Sequence, residues 1–260
     1  MPTSSQILKY EKRDQVAWMT LNRPEAMNAL NTEIGRAIGE AFQDAVSDDG
    51  VLVVVIIGDG GKAFSAGRDL KEISRLDAIS GPNPSQYISF DEVADCPKPL
   101  IAAIDGYCLA GGLELALRCD IRVATEQSRF GLPEPRRSLL AAYGLHHLSR
   151  MIPMGEALWI QLTGSHMTAQ RAYDIGLIQA LVPDREALLA EVERVASEIK
   201  RCAPLAVQAI KKIVKIGSNL PVEYSYKLAE PIREVIDKTE DRLEGPKAFA
   251  EKRSPIWKMR

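Results

Sequence analysis

The amino-acid sequence predicts an α/β protein, in which one α/β core is followed by a helical C-terminal part. Buried-strand patterns alternate with helical patterns as far as about residue 140, whereas helical patterns dominate the rest of the chain. The chain has 260 residues, which is long enough for one large domain with a sizeable core. We therefore assign residues 1–200 to the core and residues 201–260 to a helical C-terminal region.

The composition is that of a soluble globular protein, with 46% hydrophobic and 26% charged residues. A net charge of −2 gives no basic excess that would indicate binding to nucleic acid or to a membrane surface. The longest aliphatic run, VLVVVII at 51–57, is much shorter than the ~20 residues that span a bilayer. No CxxC spacing occurs, so we expect a cytoplasmic protein with reduced core cysteines. These cysteines are Cys96, Cys108, Cys119 and Cys202.

The first part of the chain predicts a hairpin, a loop, a helix and a strand. Residues 6–21 have the pattern of a hairpin that turns near Arg13 and Asp14. The following NRPEAMNAL is predicted to be a loop, because proline and two asparagines disfavour regular structure. From residue 32 to residue 47 apolar side chains recur every four residues, which predicts an amphipathic helix. VLVVVIIG at 51–58 is β-branched and continuous, as in a buried strand.

The next part repeats the order of strand, glycine-containing turn and helix. GDGGKAFSAGRD is predicted to be a glycine-rich loop, and a helix is expected to start near Asp69. PSQYISFDEVADC is a plausible helix that stops at Pro97. PLIAAIDG indicates a second buried strand, GGLELALRC a short helix and DIRVAT a third strand.

Beyond residue 140 the pattern is mainly helical. YGLHHLSRMI, MGEALWIQLTG and TAQRAYDIG predict helices, and LIQALVP predicts a short strand. Asp184 is expected to cap a helix over 185–201. Two more helical stretches are predicted at 204–216 and 221–243, followed by a basic tail.

Two loops, AFSAGRDLKE and AGGLEL, join a buried strand to the start of a helix. Gly67 in the first loop allows a sharp turn and a close approach. Free N–H groups at a helix start carry partial positive charge and suit a negative oxygen. Two such groups that face each other would form an oxyanion hole. The alternative is that both loops are ordinary strand-to-helix turns.

Two glutamates are candidates for acid–base chemistry. Glu114 follows the glycine pair within an apolar helix, where a carboxylate is costly unless it is paired or used. It could instead be a first-turn residue that favours the helix dipole. Glu134 lies in RFGLPEPRRS, where the flanking prolines are expected to hold the loop extended. Its alternative is a solvated loop carboxylate.

Taken together, these motifs resemble the enoyl-CoA hydratase/isomerase (crotonase) superfamily over nearly the whole chain. NRPEAMNAL, KAFSAGRDLKE, DGYCLAGGLELALRCD, FGLPE, GLIQALVP and AFAEKRSP all match in order and spacing. The resemblance implies a crotonase-like spiral of ββα repeats with a helical C-terminal oligomerisation region. It also implies a homotrimer or a dimer of trimers, with an acyl-CoA as the ligand. CoA is part of the substrate, and no metal or redox cofactor is implied.

The resemblance assigns roles to individual residues. The backbone N–H groups of Arg68 and Gly111 would hold the thioester oxygen, while Glu114 mainly activates a water and Glu134 mainly delivers a proton to C2. In the substrate-binding set, Ala142 could hold the water through its N–H, and Lys252 would come from a neighbouring subunit. That set is Ala26, Ala66, Gly67, Asp69, Leu70, Lys71, Ala142 and Lys252.

The predicted activity is reversible hydration of a 2-enoyl-CoA to a 3-hydroxyacyl-CoA, as part of fatty acid metabolism. The alternatives are a double-bond isomerase that uses one glutamate, and an acyl-CoA-binding or RNA-binding relative with little catalysis. The chain departs from many hydratases at residues 141–143, AAY, where paired glycines are common, and at Arg68. His146 and His147 are adjacent on a predicted helix, so we expect both to be structural or surface residues. Residues 73–90 are expected to line the acyl pocket.

Overall fold

The computed structural model describes residues 7–81 and 90–260. Contacts divide the chain into two compact units, one of residues 1–96 and 100–193 and one of residues 97–99 and 194–260. The predicted domain limits at 200 and 201 stay a prediction. None of the helices within the described ranges is long and apolar enough to cross a membrane.

The first unit contains the strands. They are β1 (Leu8–Arg13), β2 (Val16–Leu21), β3 (Val53–Gly58), β4 (Ala63–Ser65), β5 (Leu100–Ile104), β6 (Tyr107–Leu109), β7 (Ile121–Thr125), β8 (Arg129–Gly131), β9 (Met167–Thr168) and β10 (Ala180–Val182). Six of these form a sheet in the order β1-β2-β3-β5-β7-β10, and four form a second sheet in the order β4-β6-β8-β9. The predicted hairpin is confirmed, because β1 pairs antiparallel with β2.

Helices alternate with the strands as far as β10, and further helices follow it. They are α1 (Thr32–Ser47), α2 (Leu70–Ser80), α3 (Asp91–Asp95), α4 (Gly111–Arg118), α5 (Tyr143–Met151), α6 (Met154–Thr163), α7 (Ala169–Asp174), α8 (Arg185–Lys200), α9 (Pro204–Gly217), α10 (Val222–Asp237) and α11 (Glu240–Ala250). The helix predicted over 84–96 is confirmed only as α3, and its residues 84–89 lie outside the described part of the chain.

Three successive ββα turns build the two sheets. β3-β4-α2, β5-β6-α4 and β7-β8-α5 each place one strand in the large sheet and one in the small sheet. β3, β5 and β7 pair in parallel, as do β4, β6 and β8, so each turn lies beside the one before it. The α/β spiral of ββα repeats is therefore confirmed. Its geometry brings the ends of β4, β6 and β8 to one edge, where the loops before α2 and α4 begin.

The small sheet corrects the prediction that residues 58–69 form a loop. β4 lies inside that stretch, and β6, β8 and β9 were not predicted. These strands have only two or three residues, so they carry no readable alternation. Phe64, Cys108 and Phe130 anchor them in the core, where all three side chains are fully buried.

The second unit is helical, and one of its predicted helices is wrong. The stretch 221–243 is not one helix, since α10 ends at Asp237 and α11 starts at Glu240. Thr239 causes the break, because its hydroxyl accepts a hydrogen bond from the backbone N–H of Arg242 at 3.2 Å and caps α11. Cys202 is exposed, which corrects its prediction as a core residue, whereas the other three cysteines are buried.

Candidate active site

A cavity of about 390 Å³ opens at the edge where the short strands end. Most of its lining is apolar. Three arginines, one histidine and two glutamates also line it. The lining residues are Ala66, Arg68, Leu70, Ile73, Leu109, Ala110, Gly111, Glu114, Pro133, Glu134, Arg136, Arg137, Leu139, Leu140, Ala142 and His166. Both predicted glutamates and both predicted oxyanion donors therefore share one cavity.

The two predicted oxyanion loops meet at Gly67 and Gly111. A Cβ added to Gly67 would lie 2.5 Å from Ala110 Cβ and 3.1 Å from the backbone nitrogen of Gly111. A Cβ added to Gly111 would lie 3.6 Å from the backbone nitrogen of Arg68. Gly111 is also the first residue of α4, where N–H groups have no acceptor within the helix. The geometry is that of two neighbouring backbone donors at a helix start, which suits a negative oxygen.

The N-terminal loop holds the first oxyanion loop in place. Gly67 O accepts a hydrogen bond from Leu30 N at 2.8 Å, and the N–H of Asp69 donates to Leu30 O at 3.0 Å. Ala66 N donates to Met27 O at 2.9 Å. Arg23 adds an ion pair of 2.9 Å with Asp69, and both side chains are largely buried. Backbone and side-chain contacts thus fix the chain on both sides of Arg68.

Glu114 occupies the position that the sequence predicted, within a wholly buried helix. All eight residues of α4 are buried, and Glu114 is 5% exposed. Its Oε1 accepts a hydrogen bond from the backbone N–H of Gly144 at 2.9 Å. Gly144 lies at the start of α5, so one helix supplies the carboxylate and the next helix supplies its donor. Glu114 also lines the cavity.

Glu134 starts a short 3-10 turn over Glu134–Arg137, which corrects the expectation of an extended loop. Proline has a fixed φ that also suits the first positions of a helical turn, so Pro133 and Pro135 do not enforce extension here. Glu134 Oε2 is buried and has no hydrogen-bond partner among the described residues. Burial raises the pKa of Glu134 to about 7, and the Glu114 carboxylate adds to the increase, while Arg68 and Arg137 oppose it.

The remaining predicted binding residues are distributed around this geometry. Leu70 and Ala142 line the cavity. Asp69 caps α2 by accepting hydrogen bonds from the N–H groups of Lys71 and Glu72, so its carboxylate has a structural role. Ala26 ends a 3-10 turn in the N-terminal loop. Lys252 belongs to the second unit, and its contact with CoA from a neighbouring subunit stays a prediction.

Several cavity residues were not predicted. Arg136 and Arg137 follow Glu134 after one proline in PEPRRS, and two charges this close to a candidate acid were a usable signal. His166 reaches the cavity from the turn before β9, where its ring contacts Tyr107 edge to face at 5.9 Å between centroids. Burial lowers the pKa of His166, with Arg136 and Arg129 adding to the effect. No local pattern distinguishes His166, because only the fold brings it to the site.

No group of three or more His, Cys, Asp or Glu side chains in the described ranges could hold a metal ion. The groups of the cavity itself offer three chemical functions. These are two backbone donors for a negative oxygen, one carboxylate fixed by a backbone N–H, and one carboxyl that titrates near neutral pH.

Comparisons with known proteins find similar sequences and similar folds. A family model described as enoyl-CoA hydratase/isomerase matches residues 11–260. A protein named carnitinyl-CoA dehydratase from Salmonella typhi is 36% identical, over 98% of this chain and 100% of that protein. The crystal structure of an enoyl-CoA hydratase from Mycobacterium tuberculosis H37Rv is similar with a TM-score of 0.90 and 36% identity, over 98% of this chain and 100% of that one. An enoyl-CoA hydratase from Bacillus anthracis has a TM-score of 0.91 and 31% identity, over 98% and 100% of the two chains.

Proposed function

Because the chain belongs to the enoyl-CoA hydratase/isomerase family, we propose that it catalyses the reversible addition of water to a 2-enoyl-CoA. The product is the corresponding 3-hydroxyacyl-CoA. The observation that carries this proposal is the presence of both Glu114 and Glu134 in the cavity that contains the two backbone donors. An isomerase needs only one group to move a proton, whereas hydration needs a base for the water and an acid for the carbon.

The backbone donors stabilise the charge that forms on the thioester oxygen. Addition of water to C3 pushes electrons from the C2–C3 double bond to that oxygen and gives an enolate. In our proposal the N–H groups of Arg68 and Gly111 donate to this oxygen. Each such donor is worth about 2.7–4 kcal/mol in a site that excludes water. Their fixed direction matters because no reorganisation is then needed as the charge develops.

The two carboxyl groups divide the proton transfers. Glu114 accepts a proton from the water while its Oε1 stays held by Gly144. Glu134 donates its proton to C2 as the enolate collapses, and the C–H bond forms. A carboxyl with a pKa of about 7 is present in both forms at neutral pH and can serve either direction. Hydration causes no net oxidation or reduction. The step leaves Glu114 protonated and Glu134 ionised, and transfer of one proton from Glu114 to Glu134 through solvent restores the site for the next turnover.

The rate should fall with rising pH in both directions. Hydration starts with Glu114 ionised and Glu134 protonated, and dehydration starts with the same single proton on Glu114 instead. Both directions therefore use the state in which the glutamate pair carries one proton, and kcat/KM should fall as the pH rises through about 7 and that proton is lost. Glu134→Gln should remove this dependence from the residual rate. The measurement is kcat/KM for crotonyl-CoA and for 3-hydroxybutyryl-CoA from about pH 6 to about pH 9. A kcat/KM that does not fall over this range would contradict the role given to Glu134.

Dehydration of a carnitinyl-CoA is the second candidate function, because relatives with that name are 36% identical to this chain. A carnitinyl group carries a trimethylammonium cation. Here Arg68, Arg136 and Arg137 line the cavity, and like charges disfavour such a group. Cations of this kind are usually bound by aromatic cages, whereas the apolar lining of this cavity includes Leu70, Leu139 and Leu140. We therefore propose a neutral or anionic acyl group for this chain.

A panel of CoA esters tests the substrate class. We expect 2-enoyl-CoA esters that end in a methyl or a carboxylate group to have a higher kcat/KM than the matched ester that ends in trimethylammonium. The measurement is steady-state hydration of the three esters at one ionic strength, with Arg137→Gln as the comparison variant. If the cationic ester is the best substrate of the parent enzyme, the second candidate replaces the first.

The predicted trimer or pair of trimers, and the position of Lys252 in it, also remain proposals. Their support is the number of large apolar side chains exposed on α9, α10 and α11 of the single chain. These include Ile210, Val214, Val222, Tyr226, Val235 and Leu243.

A further inference from the structure

Tyr143 lies in an aromatic and cationic stack beside the site. Its ring is parallel to that of His147, with 3.6 Å between centroids and 4° between planes. The guanidinium carbon of Arg118 lies 4.0 Å from the centroid of the Tyr143 ring. Two groups this close to one centroid have to occupy opposite faces of the ring, because they would overlap on the same face. Tyr143 is therefore held between Arg118 and His147.

The stack connects the helix that carries Glu114 to the helix that carries its donor. Arg118 ends α4, is 8% exposed and donates a hydrogen bond to the backbone oxygen of Glu114 at 3.1 Å. Tyr143 is the first residue of α5 and precedes Gly144, whose N–H donates to Glu114 Oε1 at 2.9 Å. His147 Nδ1 lies 3.0 Å from the backbone oxygen of Tyr143 and fixes the imidazole against the same turn. Together these contacts connect the end of α4 to the start of α5.

We propose that Tyr143 is a positioning residue, which fixes the start of α5 on α4 so that Gly144 keeps the Glu114 carboxylate oriented in the cavity. This inference rests on the catalytic role of Glu114 in the proposed function. Contacts on both faces hold the Tyr143 side chain in place, and this fixes the start of α5, to which Gly144 belongs.

The first test separates the ring from its hydroxyl group. Tyr143→Phe keeps both stacked faces and should keep kcat within about twofold of the parent. Tyr143→Leu keeps apolar volume but has no flat face, and should lower kcat by about 10-fold or more with little change in KM. His147→Ala removes one face and should give part of this loss. The matched control is His146→Ala, an exposed neighbour on the same helix, which should leave kcat unchanged.

The second test asks whether Tyr143 acts through Glu114. In a Glu114→Gln background, Tyr143→Leu should lower the residual kcat by less than about twofold, because the group that it positions is already gone. Hydrogen–deuterium exchange over residues 141–148 should be faster in Tyr143→Leu than in Tyr143→Phe or the parent. Equal losses of kcat in both backgrounds, or parental kcat in Tyr143→Leu, would overturn the role of Tyr143. If Glu114→Gln alone keeps the parental rate, the proposed function fails and this inference fails with it.

Discussion

Glu114→Gln and Glu134→Gln should each lower hydration by about 10²-fold or more, because each removes a positioned acid or base. Glutamine conserves the shape of both side chains, so folding and acyl-CoA binding should stay nearly intact. At position 114 the amide oxygen can still accept the hydrogen bond from Gly144. The measurements are kcat for crotonyl-CoA and the Kd of an unreactive acyl-CoA. Glu126→Gln, which changes an exposed glutamate, is the control and should retain the parental rate.

The double variant distinguishes the candidate reactions. Its loss should be much smaller than the product of the two single losses, because residues that act as one unit are not additive. An isomerase would give a different pattern, in which one substitution is nearly silent and the other is severe. If Glu114→Gln keeps near-parental hydration, the carboxylate serves only the helix dipole and the two-glutamate mechanism is wrong.

The long helices and central strands could be predicted because their signals are local. α1 has the predicted bounds of residues 32–47, since its apolar positions repeat every four residues and Asn31 accepts a hydrogen bond from Ile34 N. β3 is a continuous β-branched run that is buried along its whole length. The small sheet could not be predicted, because its strands are too short to show alternation and are held by pairing with residues distant in sequence.

The site was predictable in its parts, whereas its connections were not. Strand, glycine and helix start follow one another in the sequence, so each of the two loops could be recognised locally, while their oxyanion role stays a prediction. The hydrogen bond from Gly144 to Glu114 joins residues 30 positions apart, and the sequence has no pattern for it. The 3-10 turn at Glu134 was missed because proline favours both extended chain and the first turn of a helix. Glu134 Oε2 is buried, and burial raises the pKa of the carboxyl group.

Gly67→Ala should lower kcat for hydration by about 10²–10³-fold, which is the loss expected when one oxyanion donor is removed. The new Cβ would lie 2.5 Å from Ala110 Cβ, and real Cβ atoms do not approach so closely, so one loop has to move. The backbone nitrogens of Arg68 and Gly111 belong to these two loops, and their separation would increase. Gly67 also has a φ of +95°, which L side chains rarely adopt, so the loop cannot relax easily around the methyl group.

Gly176→Ala is the matched control for this substitution. Gly176 has a φ of +79°, but a Cβ added there would meet nothing within 4 Å. It should therefore cost only backbone strain, on the order of 1 kcal/mol, and leave kcat unchanged. The measurements are kcat for crotonyl-CoA and Tm for both variants beside the parent. A rate loss in Gly67→Ala at a Tm similar to that of Gly176→Ala would place the effect in the donors. If the two variants keep equal, near-parental rates, the thioester oxygen is not held between these loops.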